Sequence, residues 1–184
     1  LDLPRGDIEV DIDMENDDIV YMWGTTTTVR RDDLRLGPRH NAYFADETIN
    51  WDRQENYDGD LGEAEVFADL WEYMTTLKGL AKVTGASLKF YCYSAAEERC
   101  MRAIVRKNPD HERLPSMEDI DELVNSDLWV DMLEIFRSQT IWPTDDLSIK
   151  SLAKYAKFAW RDDDASGGNS IVWYHEALDA KTKD

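Results

Sequence analysis

Cysteine and histidine are both scarce in this chain. Cys92 and Cys100 are the only cysteines among 184 residues, too few for the disulfide framework of a small secreted domain. We therefore expect a reducing, cytoplasmic setting. The histidines, His40, His111 and His175, are scattered and lack zinc-ligand spacing. The sequence also has no Ser/His/Asp or Cys/His arrangement of the kind that supports nucleophilic catalysis.

Long hydrophobic runs, internal repeats and low-complexity tracts are missing as well. No apolar stretch approaches the length of a membrane span and no signal peptide is recognisable, so we expect no membrane partner. With 42% hydrophobic and 11% aromatic residues, the chain can bury a sizeable core. It begins at Leu1 rather than Met, so we expect residues 1–184 to be a single domain taken from a longer protein.

Positive charge is in short supply, because 21 Lys and Arg stand against 39 Asp and Glu and give a net charge of −18. Such a surface repels nucleic acid at long range, so any nucleic-acid binding must rely on local clusters. Two helical stripes are basic: Arg99, Arg102 and Arg106, and Lys150, Lys154 and Lys157. Each stripe is either a solvated face with ion pairs or a phosphate-binding surface. We expect the Trp and Tyr side chains to lie in the core rather than to stack on bases.

Carboxylates, by contrast, are abundant, and four of them share one face of the first predicted strand. Residues 8–15 alternate apolar and acidic side chains, the pattern of a strand with two unlike faces. The acids are Glu9, Asp11, Asp13 and Glu15. An edge strand carries such charges to resist aggregation. A central strand needs them paired or bound to metal, since carboxylates roughly 6–7 Å apart can share a hard divalent cation.

The order of predicted elements is β-β-β-α-β-α, followed mostly by helices. Strands at about 8–15, 19–29 and 42–51, joined by polar loops, predict an antiparallel meander with the first strand central. A helix over 62–83 leads to a buried strand at 88–93, which we expect to pair parallel to the first strand. Later elements are helices at 95–108, 147–158 and 169–180, a helix N-capped by Ser116, and a strand running into a helix within 127–139. This pattern indicates an α/β fold with a mixed sheet and helices packed on it.

Five segments, taken in order, resemble a known family. They are "DIDMENDDIVYMWG", "FYCYSAAEERCMRAI", "WVDMLEIFR", "LSIKSLAKYAKFAWR" and "GGNSIVWYHEAL". They resemble the ribonuclease H-like domain of predicted RecB-family nucleases, within the DEDD, proofreading-exonuclease-like superfamily. The resemblance covers nearly the whole chain. It implies a ribonuclease H-like mixed sheet, with an antiparallel three-strand meander, one or more parallel strands and helices packed on the sheet.

The resemblance also implies a function. It points to a metal-dependent nuclease that hydrolyses phosphodiester bonds at single-stranded DNA or RNA ends, in the manner of a 3′–5′ exonuclease. The implied cofactors are two Mg²⁺ or Mn²⁺ ions. Position by position, Asp13 and Glu15 match the Asp-x-Glu pair and Glu97 matches the second acidic motif. These three residues are the predicted catalytic metal ligands.

Several positions have alternatives or auxiliary roles. Asp11 replaces Asp13 if the register is off by two, and Glu98 replaces Glu97 if the acidic pair is misaligned by one. Glu97 could instead only complement a helix dipole. Asp131 matches an Asp-Leu segment and is predicted to be a structural or auxiliary carboxylate.

The basic stripes take a role in the same interpretation. Arg99, Arg102, Lys150 and Lys154 would contact phosphate groups beside the metal site.

One family feature has no counterpart in this sequence. A last motif of Tyr-Asn-x-x-Asp character supplies the family's final metal-binding Asp, and nothing like it follows "WYHEALDAKTKD". We expect that acid to lie beyond Asp184, and an upstream nuclease domain of the same chain to be a partner. The alternative is a degenerate, non-catalytic ribonuclease H-like scaffold in a larger nucleic-acid-processing protein. A metal-binding domain without nuclease activity is a third possibility.

Overall fold

The computed structural model describes residues 1–34, 36–37, 39–45, 62–143, 146–160 and 166–179. These ranges contain five strands and six helices. The strands are β1 (Ile8–Asn16), β2 (Val20–Val29), β3 (Arg39–Phe44), β4 (Leu88–Cys92) and β5 (Trp129–Asp131). The helices are α1 (Glu63–Thr84), α2 (Ala96–Lys107), α3 (Met117–Val124), α4 (Met132–Gln139), α5 (Ile149–Tyr155) and α6 (Gly167–Asp179).

The strands form one mixed sheet in the order β3-β2-β1-β4-β5. β2 pairs antiparallel with both β1 and β3, whereas β1 pairs parallel with β4, and β4 pairs parallel with β5. The predicted meander, the central position of the first strand and its parallel pairing with the fourth are all confirmed. As a consequence, β1, β4 and β5 all end at the same edge of the sheet.

One face of this sheet carries the hydrophobic core. The apolar side chains of β1, Ile8, Val10 and Ile12, are buried in one cluster with the apolar stripe of α1. That stripe recurs every three or four residues and includes Phe67 and Leu70, which have no exposed surface. Burying each side chain of this size contributes about 1.5–3 kcal/mol, so β1 is anchored between its neighbours by its apolar face.

Two residues mark the ends of helices, one after α1 and one before α3. Gly85 follows α1 in the left-handed region at φ 63°, and its N–H bonds the carbonyl of Ala81, which closes the helix. Ser116 begins α3 as predicted, because its side chain accepts from the N–H of Asp119 while the Asp119 carboxylate accepts from Ser116. The predicted passage from strand to helix is also confirmed by β5 and α4.

The third strand begins earlier than predicted. Its first residues, 39–41, look like loop because they are polar, yet they pair with Thr25–Thr27 of β2. Pairing with a neighbouring strand here outweighs the polar side chains. The later part of the predicted strand, 46–51, lies outside the described residues. None of the helices in the described part of the chain has both the length and the apolar character needed to cross a membrane.

Candidate active site

Acidic residues gather where the three parallel strands end. Asp13 and Glu15 lie in the last half of β1, Glu97 lies in the first turn of α2 just after β4, and Asp131 ends β5. Parallel strands present their carboxyl ends at one edge, the usual place for ligand sites in α/β sheets. The charges of Asp13 and Asp131 both raise the pKa of Glu97. The fold therefore brings these carboxylates into one electrostatic cluster.

Glu97 is the least satisfied member of that cluster. Its side chain is buried, with the residue 4% exposed, and among the described residues its Oε2 atom has no hydrogen-bond partner. Burial raises the pKa of Glu97 to about 7, and the charges of Asp13 and Asp131 add to that effect. A hydrogen bond from its own backbone N–H and the charge of Arg99 oppose the rise. Buried carboxylates without partners are costly and cluster at functional sites.

The two β1 acids differ in their surroundings. Asp13 reaches solvent and accepts a hydrogen bond from the N–H of Met14 at 2.9 Å, while desolvation by nearby protein atoms raises its pKa. Glu15 is half-buried, and its pKa is raised by burial first and by the charge of Asp13 second. A hydrogen bond with Ser170 and the charge of Lys150 act in the opposite direction. Asp13 thus interacts with both Glu15 and Glu97.

Asp131 has a structural task. Its Oδ1 atom accepts from the N–H groups of Leu133 at 2.9 Å and Glu134 at 3.3 Å, which caps α4. The same oxygen accepts from the N–H of Ser94 at 3.0 Å, a residue held at φ 87° just after β4. Asp131 therefore fixes the turn that leads to Glu97. Within the described residues its Oδ2 atom accepts no hydrogen bond, so it also fits the auxiliary role.

The structure separates Glu97 from its alternative. Glu98 accepts from Nε of Arg102 at 2.9 Å, on the side of α2 that faces α3. Glu97 lies on the apolar side, one turn before Met101 and two turns before Ile104, both of which are buried. That i, i+4, i+7 spacing is a sequence signal that could have decided between the two acids.

Asp11 is likewise set apart from Asp13. Asp11 is exposed, although desolvation by nearby protein atoms raises its pKa, and the charged groups that act on it are Glu9 and Arg5, toward the amino end of β1. The pair that the structure brings together across the strand ends is therefore Asp13 and Glu97.

The first basic stripe divides in two. Arg102 binds Glu98 and also Asp121, whose Oδ1 lies 2.6 Å from its NH1 atom. This is the ion-pair alternative that the sequence left open. Arg99, in contrast, is exposed, and its charge lowers the pKa of Glu97. Of the two, Arg99 is the one whose charge acts on the carboxylates, and its contact with phosphate stays a prediction.

The second stripe approaches the cluster from α5. Lys150 lies close enough to Glu15 to lower the pKa of that carboxyl, and Lys154 acts similarly on Asp146. Both lysines are exposed. A cavity of about 580 Å³ lies at the start of α5, with Ile149, Ser94 and Arg137 among its lining residues. Of the two lysines, Lys150 is therefore the one that acts on the acidic cluster.

The three predicted ligands do not form a ready-made metal cage. No group of three or more His, Cys, Asp or Glu side chains in the described part of the chain is arranged to hold a metal ion. Asp13, Glu15 and Glu97 are coupled pairwise instead, as expected for like charges that repel one another. The donors still suit Mg²⁺ or Mn²⁺, because carboxylate oxygens are hard ligands and Glu97 Oε2 lacks a partner. Their role as metal ligands stays a prediction.

Sequence reasoning missed the contribution of α6. This helix brings Ser170 to Glu15 and to Tyr21, whose hydroxyl lies 2.8 Å from the Ser170 hydroxyl. Tyr174 stacks on Tyr21 with ring centroids 4.1 Å apart. The sequence predicts a helix over 169–180, which the structure confirms as α6, but it does not predict which strands this helix contacts. No local signal links residues about 150 positions apart, so this contact could not have been predicted.

The chain was compared with known proteins in three ways. No family model, no curated protein and no solved structure matches it. Geometry and electrostatics of the carboxylate cluster are therefore the basis on which a function can be proposed.

Proposed function

We propose that this domain is a cytoplasmic, metal-dependent nuclease module with a ribonuclease H-like fold. It would hydrolyse phosphodiester bonds at single-stranded DNA or RNA ends in the manner of a 3′–5′ exonuclease, alongside an upstream nuclease domain of the same chain. The observation that carries the proposal is the buried Glu97 carboxylate at the strand ends, which is coupled to Asp13 and whose Oε2 atom has no hydrogen-bond partner among the described residues. The mixed five-strand sheet is compatible with this fold.

Asp13 and Glu97 are the residues that would hold Mg²⁺ or Mn²⁺. When bound, such an ion supplies Lewis-acid activation of a water and stabilisation of the leaving oxygen. A nearby cation favours the charged form of a carboxyl, so Glu97 would be ionised at neutral pH in the loaded protein. Glu15, held by Ser170, would complete the acidic wall of the site.

The surrounding residues have positioning roles. Asp131 ties the Ser94 turn to the start of α4 and so fixes the beginning of the helix that carries Glu97. Arg99 and Lys150 lie near the acids and would contact the phosphate groups on either side of the scissile bond.

Calorimetric titration of the 184-residue chain with MnCl₂ tests this proposal. We expect Glu97→Gln and Asp13→Asn each to weaken binding by about 10-fold or more, because each removes a charged oxygen ligand. Glu98→Gln is the matched control, since it neutralises the adjacent acid, which instead pairs with Arg102. Cleavage of an end-labelled single strand is measured in parallel with the same proteins. Equal affinity in wild type and Glu97→Gln would contradict the proposal.

The scaffold alternative has an observation in its favour. The described residues contain no three-ligand group, and the net charge is −18. A non-catalytic module predicts a folded wild-type domain that takes up no Mn²⁺, at about neutral pH and about millimolar metal. The nuclease proposal predicts saturable binding under those conditions.

A further inference from the structure

We infer that residues 147–160 form a binding tract for single-stranded nucleic acid, with bases stacking on exposed aromatic rings and phosphates meeting lysines. The inference rests on the proposed function, because it names how a strand reaches the same carboxylate cluster. We call this segment the α5 tract.

The aromatic side chains of the α5 tract are unusually open to solvent. Tyr155 is 48% exposed, Phe158 is 59% exposed and Trp160 is 38% exposed. This differs from the expectation that the aromatic residues lie in the core, which holds for Tyr21 and Trp23. Exposed rings in a short segment provide the faces on which successive bases stack, with little dependence on sequence.

Positive charge is concentrated in the same segment. Residues 147–160 contain Lys150, Lys154 and Lys157 and no acidic residue, in a chain whose net charge is −18. All three lysines are exposed. Lysines interleaved with aromatic residues complement both parts of a single strand, its phosphates and its bases. A membrane-binding helix would instead separate its charged and apolar faces over a longer span.

The end of α5 retains a lysine where glycine is usual. Lys157 has φ 55°, and the N–H of Phe158 bonds the carbonyl of Ala153 at 3.0 Å, which closes the helix. A left-handed residue at this position is normally glycine, because other side chains are strained there. This turn directs the chain to Phe158 and Trp160, whose rings lie 5.1 Å apart and nearly perpendicular. The charge is thus kept beside the exposed rings.

The α5 tract leads to the acidic cluster. Lys150 lies near Glu15, and Ser148 and Ile149 line the cavity of about 580 Å³ that also contains Ser94. Ser94 is bound by Asp131, a member of the cluster. A strand stacked on the tract would therefore have its end directed to the carboxylates.

Fluorescence anisotropy tests the inference, with a labelled oligothymidylate of about 15 nucleotides as the probe. This length is within the range of site sizes of proteins that bind single-stranded nucleic acid. The 184-residue chain is titrated in the presence of EDTA, so that no divalent ion contributes. One titration is done at about 20 mM NaCl and a second at about 150 mM NaCl. We expect saturable binding at low salt that weakens at high salt. Phe158→Ala with Trp160→Ala, and separately Lys154→Glu, should each reduce affinity by about 10-fold.

Matched controls separate the α5 tract from general surface effects. Trp173→Ala removes a similarly exposed Trp from α6, and Lys82→Glu makes the same charge change on α1. Both should leave affinity within about twofold of wild type. Lys157→Gly should weaken binding while keeping the melting temperature, because glycine fits the left-handed turn. That variant separates lost contact from lost folding.

Several results would overturn the inference. Two concern the oligonucleotide itself: no binding by wild type at low salt, or equal losses of affinity in the tract and control variants. The others point to a different ligand: equal affinity for a duplex of the same length, stronger binding to anionic vesicles than to the oligonucleotide, or dimerisation of the protein through the exposed rings. The outcomes also separate from the proposed function. Intact Mn²⁺ binding without oligonucleotide binding contradicts the α5 tract alone, whereas oligonucleotide binding without Mn²⁺ binding contradicts the nuclease proposal alone.

Discussion

The two ends of β1 treat their carboxylates in opposite ways. At the amino end, Glu9 is 5% exposed and is bound by Arg5 at 2.7 Å and 2.8 Å, by Arg30 at 2.7 Å and by the hydroxyl of Tyr91 at 3.2 Å. At the carboxyl end, the similarly buried Glu97 lies next to the strand, and one of its carboxylate oxygens has no hydrogen-bond partner in the described part of the chain. The protein thus pairs one buried acid with its own arginines, and no arginine or lysine among the described residues forms an ion pair with the other.

The neighbours of each acid reinforce this difference. Burial, followed by the charge of Glu9, raises the pKa of Tyr91 to about 12, so its hydroxyl stays a donor. That hydroxyl also bonds the carbonyl of Pro4 at 2.6 Å, which ties the amino-terminal segment to the sheet. Around Glu97, the charges of Asp13 and Asp131 oppose ionisation instead. Glu9 is therefore satisfied within the fold, whereas the raised pKa of Glu97 makes it a candidate functional group.

The largest expected effect is at the paired end. Glu9→Gln should lower the free energy of unfolding by about 2–3 kcal/mol, because the buried amide cannot replace the charge-assisted hydrogen bonds that the carboxylate accepts from two half-exposed arginines. Urea denaturation at neutral pH measures this change. Asp11→Asn, two residues along the same strand face, is the matched control and should change stability by less than about 1 kcal/mol. Equal effects at the two positions would contradict a special contribution of the arginine pairs at Glu9.

At the carboxyl end of β1, neutralising the acid Glu97 is expected to raise the free energy of unfolding rather than lower it. Because the folded-state pKa of Glu97 is raised from 4.5 to about 7, the folded state holds the proton more tightly than the unfolded chain. The stability that this carboxyl contributes is full below about pH 4.5 and is lost as pH rises to about 7. At about pH 8 and without metal, the free energy of unfolding of Glu97→Gln should therefore be about 2 kcal/mol higher than that of wild type.

The stability gap between Glu97→Gln and wild type should shrink toward zero near pH 5. Urea midpoints measured across this pH range test the prediction, and Glu98→Gln shows how much of the effect any acid on α2 produces. A gap that is the same at both ends of the pH range would contradict a raised pKa for Glu97.

A smaller loss of stability is expected when the turn at Ser94 loses its bond to Asp131. Asp131→Ala should lower the unfolding free energy by about 1–2 kcal/mol, since it removes the cap of α4 and the bond to Ser94. Asp131→Asn, which keeps an acceptor oxygen, should recover much of this loss. Thermal unfolding measures both variants. An alanine variant as stable as wild type would show that the cap does not hold the turn.

The smallest effect is expected for the ion pairs on α2. Arg102→Gln should cost about 0.5–1 kcal/mol, as is typical for partly exposed pairs, and should leave oligonucleotide affinity unchanged. Arg99→Gln should do the reverse. Its stability should be unchanged, and its oligonucleotide affinity should fall by a few fold, as expected for the loss of about one phosphate contact. Anisotropy and urea denaturation on the two variants provide the comparison. Similar behaviour of both arginines would contradict the division of this stripe.

The sequence was most informative where periodicity is strict. The alternation of residues 8–15 predicted both the strand and its acidic face, and the stripe of α1 predicted the helix that covers the apolar side. The parallel pairing of β4 followed from the order of elements. These features depend on local pattern, and burial of one face is enough to fix them.

The partners of the acids were beyond such reasoning. Glu9 and Asp13 look alike in the sequence, and only the approach of Arg5 and Arg30 distinguishes them. Arg30 comes from the end of β2, across an antiparallel register that sequence does not specify. Ser170 reaches Glu15 from the last described helix. Long-range contacts of this kind decide which carboxylates are paired within the protein.

Titration of the Glu97 side-chain carboxyl by ¹³C NMR, with and without Mg²⁺, tests the central claim most directly. The Glu97→Gln spectrum assigns the resonance. The account predicts a pKa of about 7 in the metal-free protein, with a clear decrease when Mg²⁺ is added, because the cation stabilises the carboxylate. A metal-free pKa near the ordinary value of 4.5, or a raised pKa that Mg²⁺ leaves unchanged, would contradict it.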